Sequence, residues 1–191
     1  MGFARRIVVG ISGSSGPIYG IRTLEALKSD GATEIHLVLS ATARRTIEIE
    51  TDLKVQDVER LAHYVHPDGD LTSPVASGSF RTDAMIVAPC SMRTLAEIAG
   101  ASTTRLLSRA ADVHLKERRR LILLIRETPL NLAHLRNMTA ATECGAIILP
   151  PVPAFYHRPQ TIDDIVNHSV GKALDLLGVP HELFRRWQGP C

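Results

Sequence analysis

The first residues along the chain that could do chemistry are the small polar residues at positions 10–16, Gly-Ile-Ser-Gly-Ser-Ser-Gly. They follow an apolar, β-branched run at 7–11 and precede a segment with apolar residues at helical spacing, which predicts a strand, a tight loop and a helix. A helix N-terminus presents free N–H groups and a positive dipole end, which bind anions such as phosphate. The loop serines add hydroxyl donors for a phosphate or for the polar edge of a flavin. A plain strand–helix turn is the alternative, because the glycine spacing matches neither the dinucleotide fingerprint nor a P-loop.

Four further apolar runs predict strands, and each is followed by a polar cluster. The runs and their clusters are 34–40 ending at Ser40, 84–88 stopping at Pro89 with 91–94 beyond it, 120–125 with 126–129, and 146–149 with 150–157. Ligands bind outside the carboxyl ends of the strands in open parallel sheets. We therefore expect a pocket built from several of these loops. Taken singly, Ser91 and Thr94 also fit helix capping.

Helical spacing fills the gaps between the strands. Besides the helix after residue 16, the predicted helices lie at 42–52, 95–99, 104–117, 131–143 and 161–177. Residues 53–81 are less regular and predict a short helix followed by an irregular or extended path. Strands that alternate with helices are typical of a parallel sheet covered on both faces. The length suits a single domain, which we expect to span residues 1–191.

Composition excludes several functions. Lys plus Arg (22) nearly balances Asp plus Glu (20), which argues against nucleic-acid binding. No apolar run has membrane-spanning length and the start lacks a signal peptide's apolar core, so we expect a cytoplasmic protein without membrane contact. Cys90, Cys144 and Cys191 are too scattered for a disulfide framework, and Cys90 is expected to be a small buried residue. Without His-Glu-x-x-His or Cys-x-x-Cys motifs, the sequence predicts no metal site.

An ordered series of short motifs resembles the UbiX-type flavin prenyltransferases. The series comprises residues 10–16, 50–52, 88–91, 109–113 with 116–119, 126–129, Gly145-Ala146 with Pro150, and Phe155-Tyr156-His157-x-Pro159. The resemblance implies a Rossmann-like (flavodoxin-like) three-layer α/β domain with a mainly parallel sheet, assembled as a dodecamer. It also implies an enzyme that joins a dimethylallyl group from dimethylallyl phosphate to N5 and C6 of reduced FMN. The product would be prenylated FMN for a UbiD-type decarboxylase.

The resemblance assigns roles to individual residues. The flavin contacts it implies are Gly13, Ser14, Ser15, Ser40, Ser91, Met92, Arg93, Thr94 and Arg126. The substrate contacts it implies are Arg109, Lys116, Tyr156, Lys172 and Trp187, and the catalytic residues are Ser15, Glu50, Lys116 and Glu127. These residue types suit the reaction, because a departing phosphate needs cations and hydrogen-bond donors, and alkylation of a ring carbon needs a base for its proton. Taken alone, Lys116, Tyr156 and Lys172 each also fit an ordinary structural role.

Two departures from the family pattern and two other functions stay open. Lys172 stands where some members carry Arg, which binds phosphate bidentately, and residues 100–105 differ from the usual segment. One alternative is a flavin-dependent cysteine-peptide decarboxylase, although such proteins carry Pro-x-Ser-Ala-Asn-Thr where residues 89–94 read Pro-Cys-Ser-Met-Arg-Thr. The other is a non-catalytic flavin-binding subunit of an aromatic-acid decarboxylase, against which Lys116, Glu127 and Tyr156 argue.

Overall fold

Six parallel strands form one sheet in the computed structural model, which describes residues 3–189. The strands are β1 Arg5–Ile11, β2 Thr33–Leu39, β3 Tyr64–Pro67, β4 Ala84–Cys90, β5 Arg120–Ile125 and β6 Ile147–Ile148, in the spatial order β3-β2-β1-β4-β5-β6. Every neighbouring pair is parallel. The predicted flavodoxin-like α/β class is confirmed. The prediction on Cys191, like the first two residues, lies outside the described part of the chain.

Helices cover both faces of the sheet and complete the three layers. They are α1 Pro17–Asp30, α2 Ala41–Glu50, α3 Val55–Glu59, α4 Met92–Ala99, α5 Leu106–Lys116, α6 Leu132–Glu143 and α7 Ile162–Leu177, with a single 3₁₀ turn at Pro74–Ala76. The first three helices and α7 pack on one face, and α4, α5 and α6 pack on the other. Within residues 3–189, none of the helices has the length and hydropathy needed to span a bilayer.

The strand sequences are apolar because helices cover both faces of the sheet. Successive side chains of β1 point to opposite faces, so Ile7 and Val9 enter one core while Val8 enters the other. All three are fully buried. A fully buried Val or Ile side chain stabilises a fold by about 1.5–3 kcal/mol relative to an exposed one. A strand buried on both faces must therefore be apolar at every position rather than at alternate ones.

Two strands differ from the sequence prediction. The region 53–81 contains β3, an edge strand whose Tyr64 and Val65 are exposed, so it carries no apolar run to reveal it. Strand β4 does not stop at Pro89 but continues to Cys90. The β4–β5 register shifts between Val87 and Cys90, and this interruption of the ladder accommodates a residue that has no N–H.

Helix ends were predicted more closely. Helix α7 has Thr161 as its N-cap with a capping box to Asp164, and Gly178 ends it in the left-handed conformation, as the sequence indicates. Helix α4 begins three residues earlier than the apolar spacing suggested, because Ser91 caps it. Cys90 is fully buried, as predicted, and burial raises the pKa of its thiol far above the ordinary value.

The order in which the strands are added to the sheet reverses at the junction of β1 and β4. The chain passes from β1 outward to β2 and β3, then returns to the other side of β1 to form β4. In such a sheet the crevice for ligands lies outside the carboxyl ends of the two strands that flank the reversal. Helix α1 packs closely there, because a Cβ at Gly20 would collide with the carbonyl oxygen of Ala88.

Candidate active site

A cleft of about 550 Å³ lies at the carboxyl edge of the sheet beside this reversal. Its lining comes from the segments after β1, β2, β3 and β4 and from the start of α5: Gly13, Leu39, Ser40, Ala41, Thr42, Arg44, Pro67, Asp68, Gly69, Ser91, Arg93, Thr94, Glu97, Arg105 and Leu107. Helices α2 and α4 both begin at it. The convergence of polar loops that the sequence predicted is therefore present, and it brings Gly13, Ser40, Ser91, Arg93 and Thr94 together.

Two capping serines mark the helix starts in the cleft. Ser40 Oγ accepts the Ala43 backbone N–H at 3.1 Å and so caps α2. Ser91 Oγ accepts the Thr94 N–H at 3.2 Å and donates to Thr94 Oγ1 at 3.1 Å. Ser91 thus has the capping role that the sequence left open, Ser40 caps α2 in the same way, and both serines line the cleft.

Ser12 connects the two loops at the reversal. Its buried hydroxyl donates to the Pro89 carbonyl at 2.8 Å and accepts the Ser91 backbone N–H at 2.8 Å. Both contacts lie within the protein, so Ser12 is a structural bridge between the ends of β1 and β4. The expectation that all three loop serines offer donors to a ligand is wrong for this one.

Gly13 and Ser14 follow Ser12 in the same loop and have different surroundings. A Cβ at Gly13 would collide with the Thr42 side chain, so the loop and the start of α2 approach to a distance that only glycine permits. The Ser14 hydroxyl is buried and has no hydrogen-bond partner among the residues the structure describes. A buried hydroxyl without a partner is costly, which makes it a candidate ligand contact.

Ser15 and Glu50 form a pair at the start of α1. Ser15 Oγ donates to Glu50 Oε2 at 3.1 Å, and the Gly16 backbone N–H donates to the same oxygen at 2.8 Å. Glu50 is the last residue of α2, so its carboxylate joins two helices that flank the cleft. The predicted catalytic residues Ser15 and Glu50 are thus in direct contact.

The loop after β5 holds Arg126 and Glu127 on the other side of the reversal. The Arg126 backbone N–H donates to the Cys90 carbonyl at 3.2 Å, which fixes the loop beside β4. Burial raises the pKa of Tyr19 on α1, and the positive charge of Arg126 opposes that rise. The Glu127 carboxylate is exposed and accepts the backbone N–H of Thr128 at 3.0 Å.

Met92 and Arg93 follow Ser91, and one side chain faces the core while the other is exposed. Met92 is half-buried and packs against the core beneath α4. The Arg93 guanidinium is largely exposed, and its Nε donates to Glu97 at 3.1 Å. Arg93 therefore brings its charge to the mouth of the cleft.

A second cavity, of about 580 Å³, lies between the loop after β6 and the C-terminal tail. We call it the tail cavity; it is lined by Tyr156, His157, Arg158, Arg185, Arg186, Trp187, Gln188 and Gly189. The rings of Tyr156 and Trp187 meet edge to face at 5.7 Å. Lys172 on α7 is half-exposed, with Asp175 Oδ2 3.9 Å from its Nζ. Two of the predicted substrate residues thus line a cavity separate from the cleft.

Lys116 and Arg109 lie away from both cavities. Lys116 ends α5 shortly before β5 begins, so it lies at the amino edge of the sheet, where it pairs with Glu117. Arg109 donates to the Ala76 carbonyl at 3.1 Å and to Asp112 at 2.8 Å, and so supports the 3₁₀ turn. Within one described chain, neither residue is brought to the predicted pocket.

Sequence reasoning missed the contribution of the segment after β3. Asp68 lines the cleft and holds the start of α5, because its carbonyl and carboxylate accept the N–H groups of Leu106 and Leu107 at 2.8 and 3.0 Å. The capping residue lies 39 positions from Leu107, so no local pattern could reveal it. Arg105 also lines the cleft, in the segment where the sequence departs from the family's usual residues.

A doubly wound sheet with a glycine- and serine-lined cleft at its reversal defines a mononucleotide-binding type of α/β protein. The family model described as Flavoprotein matches residues 3–174. The flavin prenyltransferase UbiX of Thauera aromatica is 58% identical over 184 residues, covering 96% of this chain and 94% of that protein. The enzyme of the same name from Escherichia coli K12 is 52% identical, covering 97% and 99% of the two chains.

Solved structures agree with these sequence relatives. A crystal structure described as AnUbiX in complex with FMN and dimethylallyl pyrophosphate has a TM-score of 0.95 at 52% identity, covering 97% of this chain and 98% of that one. A structure described as a dodecameric FMN-dependent UbiX-like decarboxylase from Escherichia coli O157:H7 has a TM-score of 0.95 at 48% identity, covering 96% and 100%. The chain belongs to the flavoprotein family and, within it, to the UbiX-type flavin prenyltransferases.

Proposed function

We propose that this protein transfers a dimethylallyl group from dimethylallyl phosphate to N5 and C6 of reduced FMN. The prenylated FMN would then serve a UbiD-type decarboxylase. The observation that carries the proposal is the cleft at the strand reversal, with the unpartnered buried hydroxyl of Ser14 beside it, in a chain about half identical to proteins named flavin prenyltransferases. A cytoplasmic location without nucleic-acid or membrane contact stays a prediction.

The cleft suits FMN in its size and in its donors. A volume of about 550 Å³ lies within the range of small-molecule sites. Gly13 lines the cleft, and Ser14 next to it would gain the hydrogen bond that it lacks among the described residues. FMN would supply the two nucleophilic ring positions.

The FMN phosphate is best placed between the starts of α2 and α4. Both helix N-termini open on the cleft, and Arg44, Arg93 and Arg105 line it. The start of α1 is less suitable, because the Glu50 carboxylate already accepts the Gly16 N–H. Of the two segments expected to surround the phosphate, residues 13–16 and 91–94, this placement keeps the second and leaves Ser14 and Ser15 for the ring.

Ser15, Glu50 and Glu127 are suited to proton management. Ser15 donates to Glu50, so its oxygen keeps a lone pair that can accept from a flavin N–H at the position to be alkylated. One oxygen of Glu127 accepts the Thr128 N–H, and the other has no partner among the described residues. In the second alkylation the allylic double bond gains a proton and the ring carbon loses one, so no net proton is released. The free oxygen of Glu127 can take the proton from the ring carbon.

The substrate residues point to a site completed by neighbouring copies. Lys116 lies at the opposite edge of the sheet from Glu127, Tyr156 lines the tail cavity, and Lys172 lies on α7 beside Asp175. If all four act on one allylic phosphate, some must come from another subunit. Cations at the departing phosphate would stabilise its growing negative charge without a metal ion. We accordingly propose a homo-oligomer, in line with the dodecameric relative.

The proposed function is tested by measuring the mass of the flavin after the reaction. The purified protein is given reduced FMN and dimethylallyl phosphate without oxygen, and the extracted flavin is analysed by mass spectrometry. A mass gain of one C5H8 unit, dependent on the protein, is the expected result. Flavin that binds and leaves unchanged would contradict prenyl transfer, and a protein that takes up no FMN on titration would contradict the cofactor as well.

A further inference from the structure

His168, a residue that the sequence motifs did not single out, contacts the predicted substrate residue Tyr156. It lies on α7, is 7% exposed, and its Nε2 is 3.1 Å from Tyr156 Oη. Its other ring nitrogen, Nδ1, is buried without a partner among the described residues. Tyr156 itself is 44% exposed and lines the tail cavity. The hydroxyl therefore lies between a buried imidazole and an open cavity.

The imidazole of His168 is held from several sides. The His157 ring is stacked on it at 5.0 Å with 7° between the planes, and the Phe184 ring lies 4.8 Å away. Phe184 can approach α7 because Gly171 has no side chain; a Cβ there would collide with the Phe184 ring. A ring packed in this way fixes the direction of its Nε2 towards the phenol.

His168 is neutral near pH 7. Burial lowers its pKa from the ordinary value, and the electrostatic effects of His157 and Lys172 act in the same direction. A neutral imidazole has one N–H, so Nε2 either accepts from the phenol or donates to it. In the first case the phenol proton points into the protein, and in the second it is free to point into the cavity.

Binding of a phosphate would select one of these two hydrogen-bond directions. Ionised phosphate oxygens only accept, so Tyr156 must use its single proton to bind one. The contact between Tyr156 and His168 then survives only if Nε2 donates to the phenol oxygen.

We propose that His168 is a positioning residue for Tyr156, whose Nε2–H holds the phenol oxygen and directs the O–H towards the phosphate of the allylic substrate. The assignment rests on the proposed function, because it takes Tyr156 as a phosphate contact. His168 touches no substrate atom and acts through Tyr156. Its removal should therefore weaken substrate binding while FMN binding stays unchanged.

Four variants test this role through KM, kcat and FMN affinity. His168→Phe keeps a ring and removes Nε2, Tyr156→Phe removes the hydroxyl, and His168→Gln restores an amide N–H near the Nε2 position. Ser169→Ala is the matched control, since Ser169 is equally buried on α7 and its hydroxyl has no partner among the described residues. Thermal unfolding of all four variants reports on folding.

We expect His168→Phe and Tyr156→Phe each to raise KM for dimethylallyl phosphate roughly five- to tenfold, the effect of one hydrogen bond. A fifth variant that combines His168→Phe with Tyr156→Phe should be no worse than either single one, because both changes remove the same contact. His168→Gln should recover most of the affinity, and Ser169→Ala should match the wild type. If Tyr156→Phe raises KM and His168→Phe does not, the positioning role is wrong although the proposed function stands. If neither changes KM, the phosphate role of Tyr156 fails as well.

A spectroscopic readout is taken on the unaltered protein, and a variant is needed only to assign its signals. Solid-state ¹⁵N spectra of histidine-labelled protein distinguish protonated from bare ring nitrogens, and the His168→Gln spectrum identifies the signals of His168. With dimethylallyl phosphate bound, we expect a protonated Nε2 on His168. A bare Nε2 under the same conditions would overturn the proposal, whatever the flavin assay shows.

Discussion

Ser15 and the Gly16 backbone N–H converge on one oxygen of Glu50, at 3.1 and 2.8 Å. Gly16 precedes α1 in the left-handed conformation (φ 91°), and no side chain of its own loop caps the helix. The carboxylate from the end of α2 therefore provides the negative charge that this helix N-terminus favours. The same contact fixes the Ser15 hydroxyl, so the position of a predicted catalytic group depends on a residue 35 positions away.

Two substitutions at Glu50 distinguish the role of its negative charge from the role of its hydrogen bonds. Glu50→Gln keeps an acceptor oxygen for Ser15 and Gly16, whereas Glu50→Leu keeps none. If the charge matters to the reaction, both variants should lower the single-turnover rate of flavin alkylation by roughly 100-fold, the lower end of acid–base effects. If only the positioning matters, Glu50→Gln should keep nearly the full rate. Stopped-flow absorbance of the reduced flavin gives both rates.

Gly13→Ala should weaken FMN binding, because its new methyl group collides with Thr42 at the wall of the cleft. The loop must then shift, and Ser14 shifts with it. We expect the FMN dissociation constant to rise about tenfold or more, corresponding to a loss of roughly 1.4 kcal/mol. The companion variant Gly13→Ala/Thr42→Gly removes the collision and should recover the affinity in a fluorescence titration. No recovery would show that the methyl group obstructs the flavin itself.

The strands and the rim of polar loops could be predicted from sequence because each has a local cause. The buried β-branched residues 7–9 reveal β1, and the small residues after it reveal the turn into α1. Contacts between distant segments were not predictable. The sequence indicates Ser12 as a hydroxyl donor to a ligand, whereas in the structure its hydroxyl donates to the Pro89 carbonyl. Strand β3 is mostly exposed and so has no run of apolar residues that would predict it. Asp68, which follows β3 and lines the cleft, could therefore not be predicted either.

Subunit mixing tests whether Lys116 serves a neighbouring copy. Lys116→Met and Glu127→Gln should each lower activity strongly, the first by removing a cation that stabilises the departing phosphate. If Lys116 and Glu127 come from different subunits, an equal co-expressed mixture of the two variants should have intact pairs at about one quarter of its sites. Flavin mass analysis measures the recovered activity. If both residues act within one chain, every site lacks one of them and the mixture stays inactive.

Stability should fall on mild acidification because of His114. Its Nδ1–H donates to the Ala110 carbonyl at 2.7 Å and its Nε2 accepts from Thr82 at 2.9 Å, so no lone pair is free for a proton. Burial lowers its pKa to about 4, and the nearby Arg119 adds to the effect. At a pH between about 4 and the ordinary histidine pKa of about 6.5, His114 is protonated in the unfolded chain but not in the folded chain. Stability present above pH 6.5 is therefore lost progressively down to pH 4, by about 3 kcal/mol.

Denaturant unfolding at fixed protein concentration, between pH 7.5 and pH 4.5, measures this loss. The variant His114→Gln cannot take up the proton, so its stability should depend less steeply on pH than that of the wild type, even if it is lower at pH 7. The lowered pKa values of His36 and His66 act in the same direction in both proteins. Equal slopes for the two proteins would exclude His114 as the cause.

Glu127→Gln separates flavin binding from proton transfer. The exposed carboxylate accepts the Thr128 N–H through one oxygen, and an amide oxygen can keep that bond. The loop should therefore stay in place beside β4, and FMN affinity should match the wild type. The amide cannot take a proton, so the second ring closure at C6 should slow by roughly 100-fold or more while the first bond at N5 forms at close to its normal rate. Rapid quenching and mass analysis cannot separate the singly attached flavin from the closed one, because the two are isomers of equal mass. The absorbance spectrum of the quenched flavin distinguishes them, and a wild-type rate of closure would mean that another group removes the proton.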